Sequence, residues 1–312
     1  MKGLTLSEAY YQTFGRPMLA DGFAACQDRV AVGLVGLGSE CFGFDDRLSQ
    51  DHDWGPGFCL WLEKNDYERF GTSLQTAYDR LPERFMGFRR KKSDWGARRV
   101  GVMQINAFYA SFIGSSKAPE TLDNWLAIPE ANLAACTNGK VFQDPLGAFT
   151  TIRQGLLDYY PEDIRLKKIA AKCMSAAQSG QYNYGRCIRR KSFYAAQHAL
   201  VTFCEDVLAL VFLLHRQYMP FYKWAGAAAK HLPAPGPAIA QAVDTLSRTV
   251  KPSTCQETME EMVQCLIAAL KAQELTDIDS PFLLDHGPRV HARIQHPGLK
   301  ALDLWWGGVD SR

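Results

Sequence analysis

The sequence predicts an α+β protein: an N-terminal α/β domain over residues 1–150 and an all-helical domain over 151–312. Three observations predict it. Short valine-rich or glycine-bounded apolar runs are confined to the first half. Long three-to-four-residue apolar periods take over from about residue 150. A chain of 312 residues with 47% hydrophobic content is long enough for two cores.

The elements follow in order. Residues 4–14 carry a helical pattern with Ser7 as a candidate N-cap. Val30 to Leu37 is a short apolar run ended by glycine, which favours a buried strand. Gly57 to Leu62 reads as a second strand, and Asp66 to Leu81, closed by Pro82, as a helix. Val100 to Ile105 and Lys140 to Pro145 read as the third and fourth strands. In the second half, Phe193, Ala196, Leu200, Phe203, Val207, Leu210 and Leu214 form one helical stripe that ends before Pro220. A Pro/Ala-rich linker at 232–238 precedes a further helix at 254–273.

Net charge is +2, so the global balance points to neither nucleic acid nor an acidic partner. A local basic run, Arg89-Arg90-Lys91-Lys92 with Arg98-Arg99, reads as a solvated loop or as a contact for substrate phosphates. Nine cysteines without a CxxC pair fit reduced thiols better than disulfides or zinc. The N-terminus has no signal-peptide core, and the longest apolar stretch, Val207 to Leu214, is too short to span a bilayer. The expectation is a soluble cytoplasmic protein without a membrane partner.

The chemistry concentrates between Leu37 and Pro56. A strand ends in Gly38-Ser39, where the missing Cβ lets a backbone approach a triphosphate and the hydroxyl can bond a phosphate oxygen. After eleven intervening residues stand Asp51 and Asp53. On an extended strand, positions i and i+2 share a face, and two carboxylates on one face repel unless a cation lies between them. Hard oxygen ligands of this kind suit Mg²⁺ or Mn²⁺ on a triphosphate. His52 then points to the other face, as a packing or hydrogen-bonded residue. Asp45-Asp46 read as loop carboxylates. His52-Asp53 also matches the core of a metal-dependent phosphohydrolase motif, but Trp54-Gly55-Pro56-Gly57 would break the helix that motif needs.

The order strand, Gly38-Ser39, spacer, Asp51-x-Asp53 resembles the DNA polymerase β-like nucleotidyltransferase superfamily, which includes the kanamycin, streptomycin and lincosamide enzymes. More closely, the segment from Gly38 to Pro56 resembles a bacterial family of unknown function within that superfamily. Further matching segments are Gly139 to Asp144, Tyr160-Pro161-Glu162-Asp163, and Arg216 to Trp224. The resemblance implies an N-terminal nucleotidyltransferase-type domain with a mixed sheet. It also implies that Gly38 and Ser39 hold NTP phosphates and that Asp51 and Asp53 are catalytic metal ligands. Active members usually carry a third carboxylate on a neighbouring strand, where Val100 to Ile105 offers only Gln104 and then Asn106. Asp144 could substitute as a metal ligand, or form a turn before Pro145. Asp206, on the flank of the helical stripe, could be a catalytic base or a salt-bridged core residue. A lysine from the helical domain reaches the triphosphate in relatives, and Lys223 is the candidate here. The function expected is Mg²⁺-dependent transfer of an NMP from an NTP to a hydroxyl on a small molecule, protein or RNA. The alternative is a catalytically weak NTP-binding sensor or partner-binding module.

Overall fold

The computed structural model describes residues 1–90 and 99–307. Lys91, Lys92 and Arg98 of the basic run lie outside the described residues. The chain divides into two compact units: residues 1–120 with 132–158, and residues 121–131 with 159–312.

The first unit holds the sheet. Strands β1 (Ala31–Leu34), β2 (Cys59–Leu62), β5 (Gly101–Gln104) and β6 (Lys140–Gln143) lie in the order β5-β2-β1-β6. β1 pairs antiparallel with β2 and β6, while β2 and β5 are parallel, so the sheet is mixed. All four strands expected from the apolar runs are present, each trimmed by one or more residues. Every residue of β1 and β2 is buried, which is why these strands read as unbroken apolar runs rather than alternating ones. Gly33 of β1 lies where β6 crosses closely, and a Cβ there would overlap the Lys140 carbonyl oxygen and press on Trp61. A two-stranded hairpin, β3 (Arg84–Phe85) and β4 (Phe88–Arg89), turns through Met86 and Gly87, both at positive φ.

Helices α1 (Gly3–Tyr10), α2 (Arg16–Gly22) and α3 (Lys64–Asp79) accompany the sheet, with a π-helical turn, Tyr11–Gly15, joining the first two. Their apolar side chains pack with those of the strands: Tyr10, Tyr11 and Leu19 with Val32, Phe58, Leu60 and Leu74. Helix α4 (Ile105–Ile113) and the later α7 (Ala148–Leu157) supply a second aromatic cluster, in which Trp61 stacks on Phe149 at 4.1 Å beside Phe108. Ser7 does not cap a helix. It is buried inside α1 and its hydroxyl donates to the Gly57 carbonyl at 2.6 Å.

Between α4 and α7 come α5 (Leu122–Ala127) and α6 (Glu130–Thr137). The second unit is helical: α8 (Glu162–Ala176), α9 (Gly185–Arg189), α10 (Phe193–Leu214), α11 (Tyr222–Ala229), α12 (Gly236–Arg248), α13 (Pro252–Ala272), α14 (Leu283–Ala292) and α15 (Pro297–Lys300). A π-helical stretch, Ala177–Tyr184, links α8 to α9. Among the described residues, α10 alone is long and apolar enough to cross a bilayer, and 67% of its apolar window is buried inside the protein. It is the central helix of a packed core. The expected boundary at residue 150 differs from the observed division, because α5 belongs with the helices. Trp125 of α5 is buried and packs edge-on against Tyr160 at 5.6 Å.

Candidate functional site

Gly38 and Ser39 lie in the turn that leaves β1. Asn138 holds the start of that turn. Its side-chain amide donates to the Gly36 carbonyl at 2.7 Å, and its Oδ1 accepts from the Gly36 amide at 3.0 Å. The Gly139 amide donates to the Cys41 carbonyl at 2.9 Å. The absence of a Cβ at Gly38 matters here, although the group it admits is a carboxylate of the chain itself. The Glu40 carboxylate lies against Gly38, and any Cβ at that position would overlap it. Glu40 is buried, and burial pushes its carboxyl above the usual range. Its own backbone amide and the Arg90 and Arg99 guanidinium groups oppose that rise.

The loop from 35 to 58 has no regular strand, and side chains hold several of its backbone groups. Asp45 is buried; its Oδ2 accepts from the Gly3 amide at 2.7 Å and from Trp54 Nε1 at 3.0 Å. Its Oδ1 lies 3.5 Å from Lys2 Nζ. Asp46 is exposed and accepts from the Leu48 and Ser49 amides, and the Ser49 contacts hold its carboxyl below the usual range. Arg90, from the end of β4, donates to three carbonyls: Asp53 at 2.7 Å, Gly55 at 3.2 Å and Pro56 at 3.3 Å.

Asp51 and Asp53 are not on a strand. A 3₁₀ turn, Leu48–Gln50, runs into Asp51 in the helical region, and Asp53 stands at φ 54°. The physical reason lies in the sheet. β1 is paired on both sides, by β2 and β6, so an extended 51–53 segment has no ladder to join beside it. The two carboxylates therefore occupy unlike environments. The Asp51 side chain is 65% exposed and its Oδ1 lies 2.8 Å from His52 Nδ1, while Asp53 is 3% exposed. His52 is exposed, and its backbone amide also donates to Asp51 Oδ1. A buried aspartate at positive φ is the kind of backbone strain that gathers at ligand sites.

The remaining candidates are dispersed. Asp144 Oδ2 accepts from the Thr150 amide and hydroxyl, both at 2.8 Å, which closes the turn between β6 and α7. Asp206 of α10 is buried and takes Lys172 Nζ of α8 at 2.8 Å; burial raises its carboxyl although Lys172 opposes the rise. Lys223 is exposed at the start of α11, its Nζ 5.7 Å above the Trp224 ring. Gln104 ends β5 and adds no charge. Among the described residues, no three His, Cys, Asp or Glu side chains group so as to hold a metal ion. Mg²⁺ needs no such cage: it commonly takes one or two carboxylates and completes its shell with substrate phosphates and water. Asp51 and Asp53 carry oxygen donors of the type Mg²⁺ takes, one exposed beside His52 and the other buried. The sequence did not single out Glu40, and it read Asp45 as a loop carboxylate and Arg90 as part of a basic run, because the partnerships seen here depend on a loop folding back on itself.

In the helical unit two separated segments meet. Tyr218 stacks on Tyr159 at 4.8 Å and meets Tyr160 edge-on at 5.1 Å. The Tyr159 hydroxyl donates to the Gln217 carbonyl. Glu162 accepts from Arg165 through both oxygens and from Arg216 at 2.7 Å, and these contacts, Arg165 first, hold its carboxyl below the usual range. Residues 125–225 match DUF4037, a domain of unknown function. The DUF4037 match contains the Tyr160–Asp163 and Arg216–Trp224 segments as well as Gly139–Asp144, and ends short of the Gly38–Pro56 loop. No curated protein and no solved structure matches the chain. Beside the joined DUF4037 segments is a cleft of about 840 Å³, lined by Glu162, Asp163, Arg165, Arg216, Glu274 and Arg293 among others. Its lining carries three arginines and three carboxylates, of which Glu162 pairs with Arg165 and Arg216.

Proposed function

We propose that the protein is a cytoplasmic nucleotidyltransferase that moves an NMP from a Mg²⁺-bound NTP to an acceptor hydroxyl. The observation that carries the reading is the loop from Gly38 to Pro56. It leaves one of the two central strands of a mixed sheet, buries Glu40, Asp45 and Asp53, and stands Asp53 in a strained backbone. Burying three carboxylates in one irregular loop is unfavourable for folding alone, and such loops on rigid sheets commonly carry function. In this reading Ser39 and the turn amides hold phosphate oxygens, and Asp51 and Asp53 hold the ion. Bound there, the ion would neutralise charge on the phosphates and orient them for in-line attack. A phosphate approaching Gly38 must displace the Glu40 carboxylate, so Glu40 competes with the nucleotide.

A second reading, an NTP-binding sensor or partner module with little chemistry, is favoured by a specific observation. β5 ends in Gln104, where the nucleotidyltransferase resemblance leads one to expect a third carboxylate, and no general base is assigned. Pyrophosphate release with Mg²⁺, each NTP and a cell extract separates the two. Release supports the transferase; a nucleotide-induced rise in melting point without release supports the sensor. Asp53→Asn tests the site under either reading. The variant should stay folded and lose the Mg²⁺–NTP-induced rise seen in the wild type. An equal rise in both proteins would remove Asp53 from the site.

A further inference from the structure

We infer that the turn between α9 and α10 is a binding surface for single-stranded RNA, independent of the nucleotidyltransferase reading. Four cations fall within six residues there: Arg186, Arg189, Arg190 and Lys191. Arg189, Arg190 and Lys191 are exposed, and Lys191 stands at φ 58°, which reverses the chain between the two helices. Among the described residues none of the four is ion-paired with a carboxylate. Three exposed aromatic residues flank them in the chain: Tyr182, Phe193 and Tyr194 are 51%, 63% and 87% exposed. The Arg186 guanidinium already lies 4.7 Å above the Tyr182 ring, an arrangement that leaves a flat, cationic surface. Unpaired cations that track a backbone, beside rings on which bases stack, are the two parts of a single-strand site. Asn183 and Ser192, next to Tyr182 and Phe193 in the chain, carry an amide and a hydroxyl of the kind that can bond a ribose 2′-hydroxyl.

A membrane is the other polyanionic surface to weigh, and the neighbourhood disfavours it. Along the exposed face of α10 after Tyr194 come Gln197, His198, Val201 and Glu205, which is no apolar stripe. The carboxylates nearby, Glu257, Glu260 and Glu261, belong to α13, which packs against α9, and Glu260 accepts from Gln181 Nε2 at 2.7 Å. Those charges oppose a negative plane spread over the whole face, whereas a single strand can follow the turn alone.

The test is fluorescence anisotropy of the full chain with a labelled twelve-nucleotide oligo(U), between 50 and 300 mM salt. Four phosphate contacts at about 0.7 each predict a log–log salt slope of about −2.8. Arg189→Ala with Arg190→Ala should weaken binding and flatten the slope by about 1.4. Tyr194→Ala should weaken binding by about 10-fold at an unchanged slope, because it removes stacking and no charge. Melting curves confirm that the variants are folded, and Tyr194→Ala, at an almost fully exposed position, guards against an unfolded double variant. The proposal is overturned by absent saturable binding at 50 mM salt, or by variants that bind as the wild type does. Tighter binding to oligo(dT) overturns the RNA assignment. Binding of phosphatidylcholine/phosphatidylserine vesicles through the same residues, without oligo(U) binding, assigns the face to lipid instead.

Discussion

Glu40 carries the clearest consequence at the scale of one residue. Its carboxylate is buried against Gly38, and burial raises its pKa above the unfolded value of about 4.3. A carboxyl raised in the folded state stabilises the fold most below the unfolded pKa, and that stability is lost as pH rises through the folded value. Glu40→Gln should therefore melt higher than the wild type at pH 7, with the gap closing toward pH 4. A gap that widens on acidification would show that Glu40 is held as a stabilised anion. The same substitution should raise affinity for Mg²⁺–ATP, since it removes the charge that occupies the ground a phosphate would take. Unchanged affinity would place the nucleotide away from Gly38. Asp51 and Asp53 show what residue-scale reasoning missed. Their spacing was legible, but i and i+2 share a face only on a strand, and the chain there is a turn.

The loop from 35 to 58 is an element without secondary structure, and the β3–β4 hairpin holds it. Arg90 donates to the carbonyls of Asp53, Gly55 and Pro56, so one side chain fixes the backbone that carries Asp53. Charge-assisted bonds of this kind contribute about 1.5–3 kcal/mol each when sheltered, less here because Arg90 is only partly buried. Arg90→Ala should cost about 2–4 kcal/mol overall and speed proteolytic cleavage within residues 51–57. Arg90→Lys should recover only part, because an ammonium lacks the planar fork that spans three acceptors. Equal melting and equal cleavage in all three proteins would deny the hairpin this role. The hairpin was not legible as a strand pair. Its strands are two residues long, and its basic sequence reads as a solvated loop.

For the whole molecule, the notable feature is that α5 belongs to the helical unit although the chain returns to the sheet unit before entering α8. Trp125 is buried on Tyr160, so part of the helical core comes from a segment ahead of β6. Trp125→Ala should destabilise the helical unit by about 3–5 kcal/mol. A chain that begins at residue 159 should melt lower than one that begins at 121. Equal melting of the two truncated chains would mean that α5 adds nothing to the core.

By itself the sequence determined the α+β class, four strands, the long helices and the segment where polar chemistry gathers. These follow from local periodicity: unbroken apolar runs mark doubly buried strands, and three-to-four-residue periods mark helices. The tertiary structure alone decided the rest. It paired β1 on both sides, which left Asp51 to Asp53 as a turn. It laid Glu40 over Gly38 and joined the Tyr160–Asp163 and Arg216–Trp224 segments across one helical core. Each of these depends on contacts between residues far apart in the chain, and local pattern carries no record of which distant partner will satisfy a buried charge.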